Sequence, residues 1–156
     1  MTVIELILQI YMSDPKCRIL VGAPTNSAVD TLGSRLLGFG VLEKEHMVRM
    51  SSYNAYSQGS IATQLMDISF VPHLGDPTSD SLIPDDRDDQ TPTIYLNDLG
   101  HHRITLGTLA TLSILNSAGL GKGFFTHVII DEAGQCHEPE TLLPIALVDP
   151  DITQLV

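Results

Sequence analysis

Asp131 and Glu132 stand side by side at the end of an apolar run, and Gln135 follows three residues after Glu132. That spacing suits phosphate chemistry. An aspartate at the tip of a buried strand can hold Mg²⁺ through its water shell, because this ion takes few direct carboxylates and completes its sphere with waters and substrate phosphates. The adjacent glutamate points elsewhere and can orient or deprotonate a water attacking a phosphate. Gln135 can then report on that phosphate by hydrogen bonding. A plainer use of the two acids is to complement the dipole of a following helix. The strand, the small-residue turn Ala133-Gly134 and Gln135 together favour the nucleotide-handling role.

The elements that must position these residues can be read around them. His127-Val128-Ile129-Ile130 is rich in β-branched residues and reads as a buried strand. Glu138-Pro139-Glu140 suits the first turn of a helix whose apolar content is Leu142, Leu143 and Ile145 to Leu147. Carboxylates at the C-terminal end of such a strand lie where open α/β sheets place their ligands.

The same grammar occurs twice more. Arg18 to Ala23 reads as a strand, Pro24-Thr25-Asn26-Ser27 as a turn with helix-capping residues, and Ala28 to about Leu37 as a helix ended by Gly38 and Gly40. Arg103 to Thr108 is a strand leading into a helix over Leu109 to Leu115. Repeated strand–turn–helix units predict a parallel α/β sheet, with Asn26 and Asp131 near one edge of it. Thr2 to Met12 suits a buried helix, Met47 to Met50 a short strand, and Thr153 to Val156 the start of another. Gly119, Gly121 and Gly123 make a flexible connection into Phe124.

A chain of 156 residues with 43% hydrophobic content suits one domain with a real core. No apolar run approaches membrane-spanning length, and Glu5 and Gln9 break up the N-terminal apolar residues, so neither a membrane span nor a signal peptide is expected. Two cysteines, Cys17 and Cys136, offer no disulfide framework and fit a reducing compartment, so the expected location is cytoplasmic. The net charge of −11 argues against a broad electrostatic nucleic-acid surface. Most of it is local, however. Between Asp67 and Asp98 stand eight acids against Arg87 alone, which leaves −4 for the remainder. Residues 51–100 lose clear periodicity and read as an inserted, partly disordered acidic segment, which could dock a basic protein partner. Asp76 to Thr91 is expected to be its least ordered part.

Two blocks together resemble a known family. Ala23-Pro24-Thr25-Asn26-Ser27-Ala28-Val29-Asp30 resembles motif Ia of superfamily 1B helicases, and Val128 to Gln135 resembles their DEAxQ motif II. The phrase FTHVIIDEAGQCHEPETLLPIAL is most similar to the Armitage and Moloney leukaemia virus 10 type of RNA helicase, relatives of the up-frameshift helicases. Ile104 to Leu112 resembles motif Ib, with Thr108 at its threonine. The resemblance implies a RecA-like P-loop NTPase fold that binds ATP and Mg²⁺ and moves 5′ to 3′ on RNA. It assigns Asp131 to the magnesium ion, Glu132 to the catalytic base and Gln135 to the phosphate. It assigns Pro24, Thr25, Asn26, Ser27 and Thr108 to the RNA backbone. Turn amides, hydroxyls and helix N-termini can hold phosphates without a basic surface.

The sequence departs from that family where it contains no GxxxxGK[ST] loop to cradle phosphates. The expectation is therefore a partial RecA-like domain 1 over residues 1–156, lacking the P-loop strand and inactive alone. Alternatives are a P-loop ATPase that is not a helicase, which leaves APTNSAVD unexplained, and a non-catalytic interaction module. Cys136-His137 with His127 is a weak constellation for zinc or thiol chemistry. His101-His102 reads as an exposed loop pair.

Overall fold

The computed structural model describes residues 3–73 and 93–156, so the expectation for Asp76 to Thr91 lies outside the described residues. Its centre is β1 (Ile19–Ala23), whose five residues are all buried. On one side β1 pairs with β5 (Ile104–Thr108) and on the other with β6 (His127–Ile130). Beyond β5 come β2 (Met47–Met50), β3 (Ser69–His73) and β4 (Thr93–Tyr95), and beyond β6 comes β7 (Gln154–Leu155). Every pair is parallel, as the repeated strand–turn–helix pattern requires. This is an α/β, RecA-like arrangement.

Alternate residues of each strand face opposite ways and build two cores. On one face, Ile4, Ile7 and Leu8 of α1 (Val3–Ser13) and Val29, Leu32 and Leu36 of α2 (Asn26–Gly38) pack on Ile19, Val21, Ile104, Leu106 and Ile129. On the other face, Leu112 and Leu115 of α4 (Leu109–Ser117) pack with Leu20, Val48, Phe125, Val128 and Leu147. Gly22 of β1 and Gly107 of β5 are partners in register beneath α4. A Cβ at Gly22 would lie 2.6 Å from Leu109 Cδ2, and one at Gly107 2.8 Å from Leu112 Cδ2. The glycine pair thus lets α4 rest low on the sheet, which fixes where its N-terminus meets the strand tips.

Within residues 51–100 the described parts carry more structure than periodicity suggests: α3 (Tyr53–Ser57), β3 and β4. Pro72 inside β3 and the three-residue length of β4 hide both strands from a pattern search. At the opposite, N-terminal edge of the sheet, Arg103 lies 3.7 Å over the Tyr11 ring and donates to the carbonyls of Tyr11 (2.5 Å) and Asp14 (2.6 Å). It thereby closes the C-terminal end of α1, where helix carbonyls lack partners. The adjoining pair reads only half as expected. His101 is exposed, but His102 is half-buried, and burial pushes its pKa below 6.5. No helix among the described residues is long and apolar enough to cross a membrane.

Candidate functional site

Register brings the sequence-predicted residues to one edge. Ala23 at the end of β1 is level with Thr108 at the end of β5, and Gly22 is level with Ile130 at the end of β6. The ladder continues one step further, because Asp131 N donates to the Gly22 carbonyl at 2.9 Å. The turns that begin with Pro24, Thr108 and Asp131 therefore leave the sheet side by side. The expected proximity of Asn26 and Asp131 to a common edge follows from this pairing. Since β5 and β6 flank β1, the connection between them crosses it, which makes this edge a switch point of the kind where open sheets bind ligands.

Each turn is fixed by its own side chains. Thr25 adopts an extended backbone and caps α2, its Oγ1 accepting from Ala28 N at 3.2 Å. Thr108 does the same for α4, accepting from Thr111 N at 3.2 Å, with its hydroxyl 2.9 Å from that of Thr111. Thr25 and Ser27 are exposed, while Pro24 and Asn26 are half-buried. Ser27 and Asp30, with Thr31, Ser34 and Arg35, also line an open groove of about 490 Å³ along α2.

The turn after β6 is the least ordinary. Glu132 has φ 55° and ψ 32°, a left-handed conformation found at no other non-glycine residue among those described. Its side chain is exposed and accepts a hydrogen bond from Gln135 Nε2 at 2.7 Å. Asp131, half-buried at the strand tip, and exposed Glu132 thus occupy different environments although adjacent. A single carboxylate at a strand tip fits Mg²⁺, which keeps several waters and takes phosphate oxygens. Asp131 would hold such an ion. The GxxxxGK[ST] loop, whose amides cradle a triphosphate in P-loop enzymes, is not in this sequence. An open and mainly apolar cleft of about 530 Å³ lies beside the turn, between Ala133, Thr141, Ile145 and Leu155. Neither Asp131 nor Glu132 lines it.

The thiol constellation is not assembled. His127 begins β6 and Cys136 lies past its far end, so the strand separates them. Burial, with Glu140 nearby, pushes the Cys136 thiol up, away from the reactive thiolate. Among the described residues no three His, Cys, Asp or Glu side chains gather as a metal cluster.

Arg49, and its partnership with Asp30 at the end of the motif Ia block, were not read from the sequence. Arg49 of β2 is fully buried, donates from Nε to Asp30 Oδ1 at 2.6 Å and from a terminal nitrogen to Asn26 Oδ1 at 3.1 Å. Asp30 accepts a second bond from Ala62 N at 2.8 Å. A lone arginine within Met47-Val48-Arg49-Met50 was the available signal, because a charge in a buried strand demands a partner.

Comparison with known proteins covers the same elements. A family described as an AAA domain matches residues 100–149, which hold β5, α4, β6 and α5 (Glu138–Ile145). The Probable RNA helicase armi of Drosophila melanogaster is 35% identical over 158 residues, covering all of this chain and 13% of that protein. RNA helicase Mov10l1 of Homo sapiens is 32% identical over 155 residues, covering 99% of this chain and 11% of that protein. Putative helicase MOV-10 of Gallus gallus is 31% identical over 154 residues, with 96% and 14% covered. The chain therefore spans only a small part of the length of these relatives.

Proposed function

The chain is a stretch of Armitage- and Moloney-leukaemia-virus-10-like helicase sequence, related to that type from end to end, and from this premise we propose that it supplies the metal- and water-handling turn and the RNA-contacting turns of an ATP-dependent RNA helicase. The observation that carries this reading is the common edge: the turns after β1, β5 and β6 emerge together in register. In the proposed division of labour, Asp131 holds Mg²⁺, which neutralises charge on the phosphates when bound. Glu132 orients and deprotonates the attacking water, and Gln135 links that carboxylate to the phosphate. Pro24, Thr25, Asn26, Ser27 and Thr108 contact the RNA backbone with amides and hydroxyls, which suits a chain with a net charge of −11.

Hydrolysis coupled to 5′-to-3′ movement is proposed for the intact helicase, and inactivity for these 156 residues alone. The acidic run between Asp67 and Asp98 is proposed to dock a basic protein. The two free thiols suit a reducing compartment, and the proposed location is the cytoplasm. The discriminating experiment measures RNA-stimulated ATP turnover in a longer helicase carrying this segment, with Asp131→Asn and Glu132→Gln. Both are expected to lose turnover, and only Asp131→Asn to weaken magnesium dependence. Unchanged turnover in both would leave the interaction-module reading in place.

A further inference from the structure

We propose that Arg49 is a positioning residue for the nucleic-acid strand, acting through Asn26; the inference rests on the RNA reading of the turn after β1. Arg49 belongs to β2, two places from β1 in the sheet, with β5 between them. Its side chain is fully buried and bridges to the first and second turns of α2. Both carboxylate oxygens of Asp30 are engaged there, one by Arg49 and the other by Ala62 N. The ion pair therefore anchors the guanidinium; Nη1 donates to the Met50 carbonyl at 3.5 Å and Nη2 to Asn26 Oδ1 at 3.1 Å.

That contact has a directional consequence. Arginine carries only donors, so the atom of Asn26 that faces it must be the amide oxygen. The orientation of this amide is thus dictated by chemistry rather than by chance. With the oxygen turned inward, the Nδ2 hydrogens are left for an acceptor outside, and Asn26 lies between the exposed residues Thr25 and Ser27. A phosphate oxygen is such an acceptor. Without Arg49 the amide could turn over and present its oxygen, which repels a phosphate. Lysine cannot replace the arrangement, because its donors radiate from one point and lack the planar fork that engages Asp30 and Asn26 together.

The test is binding of a short fluorescein-labelled oligouridylate to the 156-residue chain at low salt, followed by anisotropy, for Asn26→Ala, Arg49→Lys and the double variant. Arg49→Lys keeps a cation beside Asp30, whereas Arg49→Met removes the charge partner of that carboxylate, and the thermal midpoint of each variant is measured alongside. Each single variant is expected to weaken binding on the order of tenfold, the size of one hydrogen bond to a charged group. The double variant should be no weaker than Asn26→Ala, since a residue acting only through Asn26 has nothing further to lose. Losses that add in the double variant, or an Arg49→Lys variant that binds like the unsubstituted chain while Asn26→Ala is impaired, overturn the positioning role and leave the RNA reading standing. An unsubstituted chain that does not bind, or an Asn26→Ala variant that binds normally, overturns the RNA reading of this turn and the inference with it.

Discussion

Glu132 joins a strained backbone to an exposed carboxylate that Gln135 holds at 2.7 Å. A left-handed conformation costs a non-glycine residue roughly 1–2 kcal/mol, against which this exposed side chain sets the hydrogen bond from Gln135. Glu132→Gly is therefore expected to hold or raise stability, by up to about 1 kcal/mol in denaturant unfolding, since glycine adopts this conformation freely. A clear loss of stability would show that the side chain contributes to the fold instead. Glu132→Gln keeps the shape and removes the base. In an intact helicase it should retain ATP binding, measured by equilibrium titration, while turnover falls on the order of 10²–10⁴-fold. Asp131, Glu132, Gln135 and the Pro24 to Ser27 turn were legible because each follows a readable strand. Arg49 and Asp30 were not, because their partnership joins residues 19 apart and exists only once α2 lies across β5.

At the scale of elements, the site depends on how closely α4 approaches the sheet. Gly22 and Gly107 face it as a registered pair, but the obstacles to a side chain differ. At Gly22 the nearest atom is the terminal methyl of Leu109, which can rotate aside. At Gly107 the added carbon meets both Leu112 Cδ2 at 2.8 Å and its branch carbon Cγ at 3.0 Å. Gly107→Ala should therefore be the costlier change, by about 1–3 kcal/mol of overpacking in denaturant unfolding, with Gly22→Ala milder. Equal costs would mean that α4 shifts as a body. The strand starts carry a pH dependence. Burial lowers the pKa of His102, before β5, and of His127, at the start of β6, below 6.5. The unfolded chain then binds more protons, so stability is complete above about pH 6.5 and declines as pH falls through that value. His127→Gln should flatten part of that decline, and an unchanged slope would locate the proton uptake elsewhere. Strands β1, β5 and β6 could be read from sequence because burial on both faces makes them continuous apolar runs. β3 and β4 could not, since their partners rather than their own composition make them strands.

The whole molecule presents an edge problem and a chemical gap. β7 is paired with β6, and among the described residues no strand covers its other side. Leu155 and Val156 are exposed and line the apolar cleft at Ala133, and Leu142 of α5 and Ile152 just before β7 are exposed as well. An open strand edge with apolar neighbours templates association, whereas a net charge of −11 opposes it by mutual repulsion. Salt screens the repulsion and leaves the apolar attraction, so the purified chain should self-associate more as ionic strength rises, seen as a concentration-dependent increase in sedimentation coefficient. A monomer at high salt would show that the edge is protected. The inactivity proposed for this chain alone has a separate cause. Asp131 and Glu132 can place an ion and a water, but phosphoryl transfer depends on holding the triphosphate in line, which P-loop enzymes do with loop amides and a lysine that this sequence does not contain. An arginine finger, worth roughly 10³–10⁵-fold in such enzymes, is a further requirement. RNA-stimulated hydrolysis should thus be at background for the 156-residue chain and restored in a longer helicase that contains it. The two causes separate experimentally, because a dispersing level of low salt should yield monomers that remain inactive. Monomers that hydrolyse ATP as fast as the longer protein would refute the need for the loop, and with it the division of labour assigned to this edge.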